Sequence, residues 1–203
     1  MWENVTVGQF QQLYDIQQGN FDLEMDRQVH LLSCLDGKPV EHYESMLLTD
    51  LMKECDRTKF LSAGDVPIVQ APREITVNGQ VYRPLYEFRD VVAGQFIDVM
   101  SVAKTADEQV INLHRMLAAI CRPVKDKQLQ PYGSIPFDDV ADAMLELSIV
   151  PALAISNFFF DAWNRFLKVI PGCLERKIKK GKALTEMEQI IHGLALISVG
   201  GGS

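Results

Sequence analysis

Asn78-Gly79 lies between two short runs rich in β-branched and aromatic residues, Glu74-Ile75-Thr76-Val77 and Gln80-Val81-Tyr82-Arg83. A two-residue turn of this kind needs positive φ at both positions, which asparagine tolerates and glycine adopts freely. The chain must therefore double back here as an antiparallel hairpin. A two-residue loop sets Ile75 opposite Tyr82 and Glu74 opposite Arg83, so one pair buries apolar area and the other joins opposite charges. This hairpin, about residues 73–83, constrains a chain whose remaining periodicity is helical.

Before it, Thr6 and Gln9 match a capping box and launch Phe10, Leu13 and Tyr14 on one face. A second helix is expected from about Leu23 to Leu35, with Met25, Val29 and Leu32 inward and Gly37-Pro39 as the stop. A short helix near Val40–Met46 and a longer one from Thr49-Asp50 come next, the latter turning Leu51 and Cys55 inward. After the hairpin, the spacing predicts a helix over about 90–103 with Val92, Phe96, Val99 and Met100 inward. A further helix starts at the Thr105/Glu108 capping box and closes at Arg122-Pro123. Residues 124–134 read as a polar loop. Pro136, followed by Asp138 and Asp139, suits the start of a helix carrying Val140, Met144 and Leu147. Pro151 should kink or divide that helix. A third capping box, Thr185/Glu188, introduces Ile190, Ile191, Leu194 and Ile197.

The expected architecture is mainly α, a helical domain with one small β-hairpin. Residues 1–170 form the core domain, and 171–203 form a C-terminal helical extension with a Gly-rich tail. Val7-Gly8-Gln9-Phe10 and Ala93-Gly94-Gln95-Phe96 share Gly-Gln-Phe, too short a match to mark a duplication.

Composition narrows the function classes. With 47% hydrophobic and 23% charged residues, wholesale disorder is excluded. A net charge of −7 disfavours general binding to nucleic acid. The N-terminus lacks the basic and apolar regions of a secretory signal. The most apolar stretch, Leu147 to Phe160, is too short to span a bilayer and reads as a buried helix. The dispersed Cys34, Cys55, Cys121 and Cys173 read as reduced, mostly buried thiols of an intracellular protein.

No catalytic, phosphate-binding or metal motif stands out. His30, His42, His114 and His192 have no second His or Cys at ligand spacing. Cys121 follows Ala118-Ala119-Ile120, the setting of a core thiol rather than a nucleophile. Asp138, Asp142 and Glu146 share a helical face, which ordinary solvated surface explains better than a cation site. No cofactor is expected.

Two segments suit partner binding. Phe158-Phe159-Phe160, with Trp163, covers more than half a helix circumference, so either the helix is central or one ring faces a partner. Arg176, Lys177, Lys179, Lys180 and Lys182 form the basic run, read either as a solvated helix end or as a dock for an acidic surface. The candidate partner-binding residues are Phe158, Phe159, Trp163, Lys177, Lys179 and Lys180.

The order of Trp2-Glu3-Asn4-Val5-Thr6-Val7-Gly8-Gln9-Phe10, Leu35-Asp36-Gly37-Lys38-Pro39, Glu74-Ile75-Thr76-Val77-Asn78-Gly79-Gln80-Val81-Tyr82, Gly94-Gln95-Phe96-Ile97-Asp98 and Ala118-Ala119-Ile120-Cys121-Arg122-Pro123 resembles tail assembly chaperones of tailed bacteriophages. The likeness spans roughly residues 2–170 as short scattered matches, and none is a catalytic signature. It implies a non-enzymatic protein of the host cytoplasm. Such a protein binds the coiled-coil-prone tape-measure protein, keeps it soluble and helps tube subunits polymerise around it. The alternative is a structural virion component, such as a neck, tail or adaptor subunit, and homo-oligomerisation is compatible with both. An enzyme lacking a recognisable motif is the third class.

Overall fold

The computed structural model describes residues 1–63, 66–102 and 105–162. The chain opens with α1 (Val7–Gln18), α2 (Glu24–Asp36), α3 (Val40–Glu44), α4 (Leu48–Cys55) and α5 (Phe60–Ala63). The hairpin strands β1 (Ile75–Val77) and β2 (Gln80–Pro84) come next, then α6 (Ala93–Val102), α7 (Ala106–Ile111) and α8 (Leu113–Ile120). Strands β3 (Cys121–Lys125) and β4 (Gln128–Leu129) precede α9 (Phe137–Met144) and a last described helix, α10, over residues 149–162. The architecture is mainly α with one small antiparallel sheet, as the periodicity predicts.

The hairpin forms in the expected register. Ile75 pairs with Tyr82, and Arg83 Nη2 lies 2.6 Å from Glu74 Oε1. Asn78 and Gly79 take φ of 49° and 77°, the left-handed values the turn demands. The sheet is larger than the sequence suggests, with order β1-β2-β3-β4. Residues 124–134 are not simply a loop, because β3 and β4 make a second hairpin through Asp126-Lys127, both with positive φ. The residue before a proline avoids the α region, so the chain leaves α8 extended at Arg122-Pro123. There β2 offers a free edge, and Tyr82, Arg83 and Pro84 pair with Pro123, Arg122 and Cys121.

Three helix boundaries differ from expectation. The helix begun by Thr105 breaks at Asn112, whose Nδ2 donates to the Val102 carbonyl at 3.1 Å. The break frees α8 to turn toward the core, where Leu113 and Met116–Ile120 are all buried. α6 begins at Ala93, so Val92 lies just outside it and stays exposed, while Gln95 enters the core. Finally, α9 ends at Met144, and Pro151 sits in the first turn of α10, where its missing N–H costs nothing.

Both expected capping boxes that fall within the described residues form, at Thr6/Gln9 and Thr105/Glu108. The two Gly-Gln-Phe triplets do the same mechanical task. Each glutamine is the third residue of its helix. Gln9 Oε1 accepts from the Thr6 N–H at 3.1 Å, while its Nε2 donates to the last carbonyls of α2, those of Cys34 and Leu35. Gln95 Oε1 accepts from the Val92 N–H at 3.2 Å, while its Nε2 donates to the Ala119 carbonyl near the end of α8. One amide thus satisfies orphan groups at the start of one helix and the end of another.

The main core joins α1, α6, α8, α9, α10 and the sheet. The N-terminal segment closes it through backbone bonds: Val7 N–H to the Leu147 carbonyl, Gly8 N–H to Leu145, and Ile149 N–H to Val5, all 2.8–2.9 Å. At Gly8 a Cβ would meet the Leu145 carbonyl oxygen at 3.4 Å, an ordinary van der Waals contact. A second, smaller cluster of Val29, Leu32, Tyr43 and Leu51 binds α2, α3 and α4 together.

Candidate functional site

The smaller cluster is the base of a groove. α4 turns Leu51 inward, while Leu48 and Met52, one helical turn apart, remain 62% and 58% exposed. Met25 on α2 and Met52 and Cys55 on α4 line an open groove of about 600 Å³, with Thr58 and Ser62 also in its lining. Leu23 and Leu47, the residues just before α2 and α4, are also exposed. Leu23, Leu47, Leu48 and Met52 thus place four exposed apolar side chains on or just before this pair of helices, while Ile68, Ile97 and Ile111 are exposed elsewhere. Methionine suits such a surface, because its unbranched, polarizable side chain repacks around differing partners.

Charges rim the groove. Glu24 pairs with Arg27 at 2.6 Å, and Lys59 pairs with Asp56 at 2.7 Å. A second cleft of about 600 Å³, lined by Val5, Leu35 and Phe60, shares Asp56 and Lys59 with the first. Trp2 packs edge-on against Phe60 at 5.1 Å and Phe10 at 6.2 Å, tying this corner to the main core.

One ion-pair network holds the groove helices at their angle. Arg57 clamps Asp36 with two nitrogens, at 2.6 and 2.9 Å, and reaches Glu54 at 2.7 Å. The Tyr43 hydroxyl donates to Asp36 at 2.6 Å. Asp36 is the last residue of α2 and Tyr43 belongs to α3, so the carboxylate gathers three segments. The Arg57 guanidinium holds the Asp36 carboxyl down to about 2, with help from Tyr43. Burial and that same carboxylate push the Tyr43 hydroxyl up.

The residues singled out from sequence fare differently. The three consecutive aromatics divide rather than packing centrally. Ile149, Ala152, Ile155 and Phe159 form the buried face of α10, so Phe159 is core and leaves the set of surface candidates. Phe158 is 39% exposed and rests edge-on against Tyr86 at 4.6 Å. Trp163, Lys177, Lys179 and Lys180 lie outside the described residues, as do Cys173, His192 and the Thr185/Glu188 pair.

The groove leaves only a weak signal in the sequence. Leu48, Met52 and Cys55 recur at helical spacing, but nothing in that pattern separates them from Leu51, which points inward.

Among the described residues, no group of His, Cys, Asp and Glu could hold a metal ion. Each described histidine has a local neighbour: Asp26 for His30, Lys38 for His42, Gln11 for His114. Asp138 of the acidic stripe pairs with Arg115 at 3.1 Å. Cys121 is fully buried at the start of β3, where burial pushes its thiol up. Cys34, Cys55 and Cys121 are all free thiols. No helix among the described residues is long and apolar enough to cross a membrane.

Comparison with family models, curated proteins and solved structures returns no match for this chain.

Proposed function

We propose that this chain is a non-enzymatic assembly chaperone that takes an amphipathic helix of its client into the α2–α4 groove. In the sequence resemblance, that client is the tape-measure protein of a tailed bacteriophage, bound in the host cytoplasm before tail assembly. The observation that carries the reading is the groove: two methionines and a partly buried cysteine, with the exposed Leu48 one turn before Met52 outside the lining, on a pair of helices joined by one ion-pair clamp. A client helix laying its apolar stripe here would bury surface both partners otherwise expose, the usual mode of helix-in-groove recognition. The remaining acidity keeps a chaperone with an exposed apolar face soluble.

A second reading, a structural virion subunit, draws support from a different place. Residues 66–72 run without helix or strand between α5 and β1, and Ile68 there is 97% exposed. A permanent assembly interface would cover such a side chain.

Co-expression with the tape-measure protein, followed by affinity capture and analysis of finished particles, tests both. The chaperone reading expects a soluble complex, its loss in Met52→Glu, and no copies of this chain in purified virions. Copies retained in intact particles would establish the structural subunit instead.

A further inference from the structure

The chain divides sharply in charge. Residues 163–203 hold seven basic and three acidic side chains, a net of +4, so residues 1–162 carry −11 of the whole-chain −7. The helical unit that builds the groove, residues 20–63, holds nine acidic and five basic residues, a net of −4. Asp22, Glu24 and Asp26 stand at the start of α2, beside the exposed Leu23 and groove-lining Met25.

Resting on the assignment of the groove as a partner site, we propose that the chain's own C-terminal segment, residues 174–199, is the groove's resident occupant and is displaced by the client. The segment has the two features the groove asks for, in one stretch. Arg176, Lys177, Lys179, Lys180 and Lys182 supply positive charge for the acidic start of α2. Ile190, Ile191, Leu194 and Ile197 come after them at helical spacing and supply an apolar stripe for Met25, Met52 and Cys55.

The contact needs the end of α10 to lie within the span of the connecting residues. Residues 163–173 can span up to about 36 Å when extended. A unit of some 160 residues has a radius of gyration of about 15 Å. Tethering also raises the local concentration of the segment toward the millimolar range, so modest affinity is enough to populate the closed form. A client must then outcompete the tether, which reserves the groove for strong binders and shields it while no client is present.

Native cysteines provide the test in the full-length protein. Cys55 lines the groove, and Cys173 immediately precedes the segment. Cys121 is fully buried, and burial raises the Cys34 thiol to about 11, so both react slowly. A short bis-maleimide followed by peptide mapping should join Cys55 to Cys173 within one chain. Alkylation of Cys55 by a small maleimide should accelerate roughly fivefold or more in K177E/K179E/K180E, since releasing a contact worth one or two kcal/mol changes populations by that order.

Equal Cys55 alkylation rates with no Cys55–Cys173 link would overturn the proposal. A link found only between two chains, running as a dimer on a denaturing gel, would overturn it in favour of a second copy. The groove's client-binding role fails separately: Met52→Glu would leave client capture unchanged, whatever the cross-link shows.

Discussion

At position 114 a half-buried imidazole meets the Gln11 amide. Gln11 Nε2 donates to the Val110 and Ile111 carbonyls at 2.9 and 2.6 Å, and lies 3.0 Å from His114 Nδ1. The amide nitrogen has two hydrogens for three neighbours, so Nδ1 shares one of them, and the amide N–H group facing the ring favours the neutral imidazole with Nδ1 unprotonated. Burial lowers the His114 pKa, the Arg115 charge adds to this, and Asp142 opposes it. A histidine whose folded pKa lies below its unfolded value adds stability that is present above about 6.5 and lost as pH falls below it. Thermal melts should therefore show a fall in Tm between pH 7.5 and 5.5, and His114→Gln should flatten it; an identical slope in the variant would assign the effect elsewhere. Asp36 titrates in a lower window. Its carboxyl sits at about 2, so its contribution is held above about pH 4 and disappears toward pH 2. Arg57→Ala should cost about 1–2 kcal/mol in urea unfolding at pH 7, a range reduced because the guanidinium is half exposed.

Among elements, the two helix starts built on Gly-Gln-Phe are the joints of the molecule. Gln9 ties α1 to α2, and Gln95 ties α6 to α8, each through one amide. Gln95 is 1% exposed, so Gln95→Ala strands the Val92 N–H and the Ala119 carbonyl and opens a small void. Equilibrium unfolding should lose about 2–3 kcal/mol, more than the same change at the partly exposed Gln9. In the first hairpin, Gly79 has φ of +77° with nothing near its would-be Cβ. Gly79→Val meets no clash and still costs about 1–2 kcal/mol, because a β-branched residue resists left-handed backbone. Gly79→Asn should recover most of that loss in the same assay, which separates backbone strain from packing.

For the whole molecule, the division into a large core and a small α2–α4 cluster matters most. Four buried residues, Val29, Leu32, Tyr43 and Leu51, hold the groove helices together, each worth about 2 kcal/mol of burial. Few buried contacts mark a region that opens below the global unfolding free energy. Amide exchange in α3 and α4 should thus be faster than in α8, whose last five residues are all buried. Leu48→Glu and Met52→Glu lie on the exposed side and should change stability by no more than about 0.5 kcal/mol while abolishing client capture. Loss of fold in either variant would place those side chains in the core instead.

Local chemistry in the sequence was enough to determine the helical class, the first hairpin with its Ile75–Tyr82 and Glu74–Arg83 partners, and the two capping boxes at Thr6 and Thr105. These depend on residues within a turn or two of one another, so no distant segment can reverse them. The tertiary structure decided the rest. Strand β3 exists because β2 presents an edge some forty residues earlier in the chain. Phe159 is core and Phe158 is not because α10 turns Ile149, Ala152 and Ile155 inward, a choice of face that three consecutive aromatics cannot reveal. The groove emerges only when α2 and α4 are brought side by side by Arg57, Asp36 and Tyr43, three residues that sequence spacing gives no reason to connect.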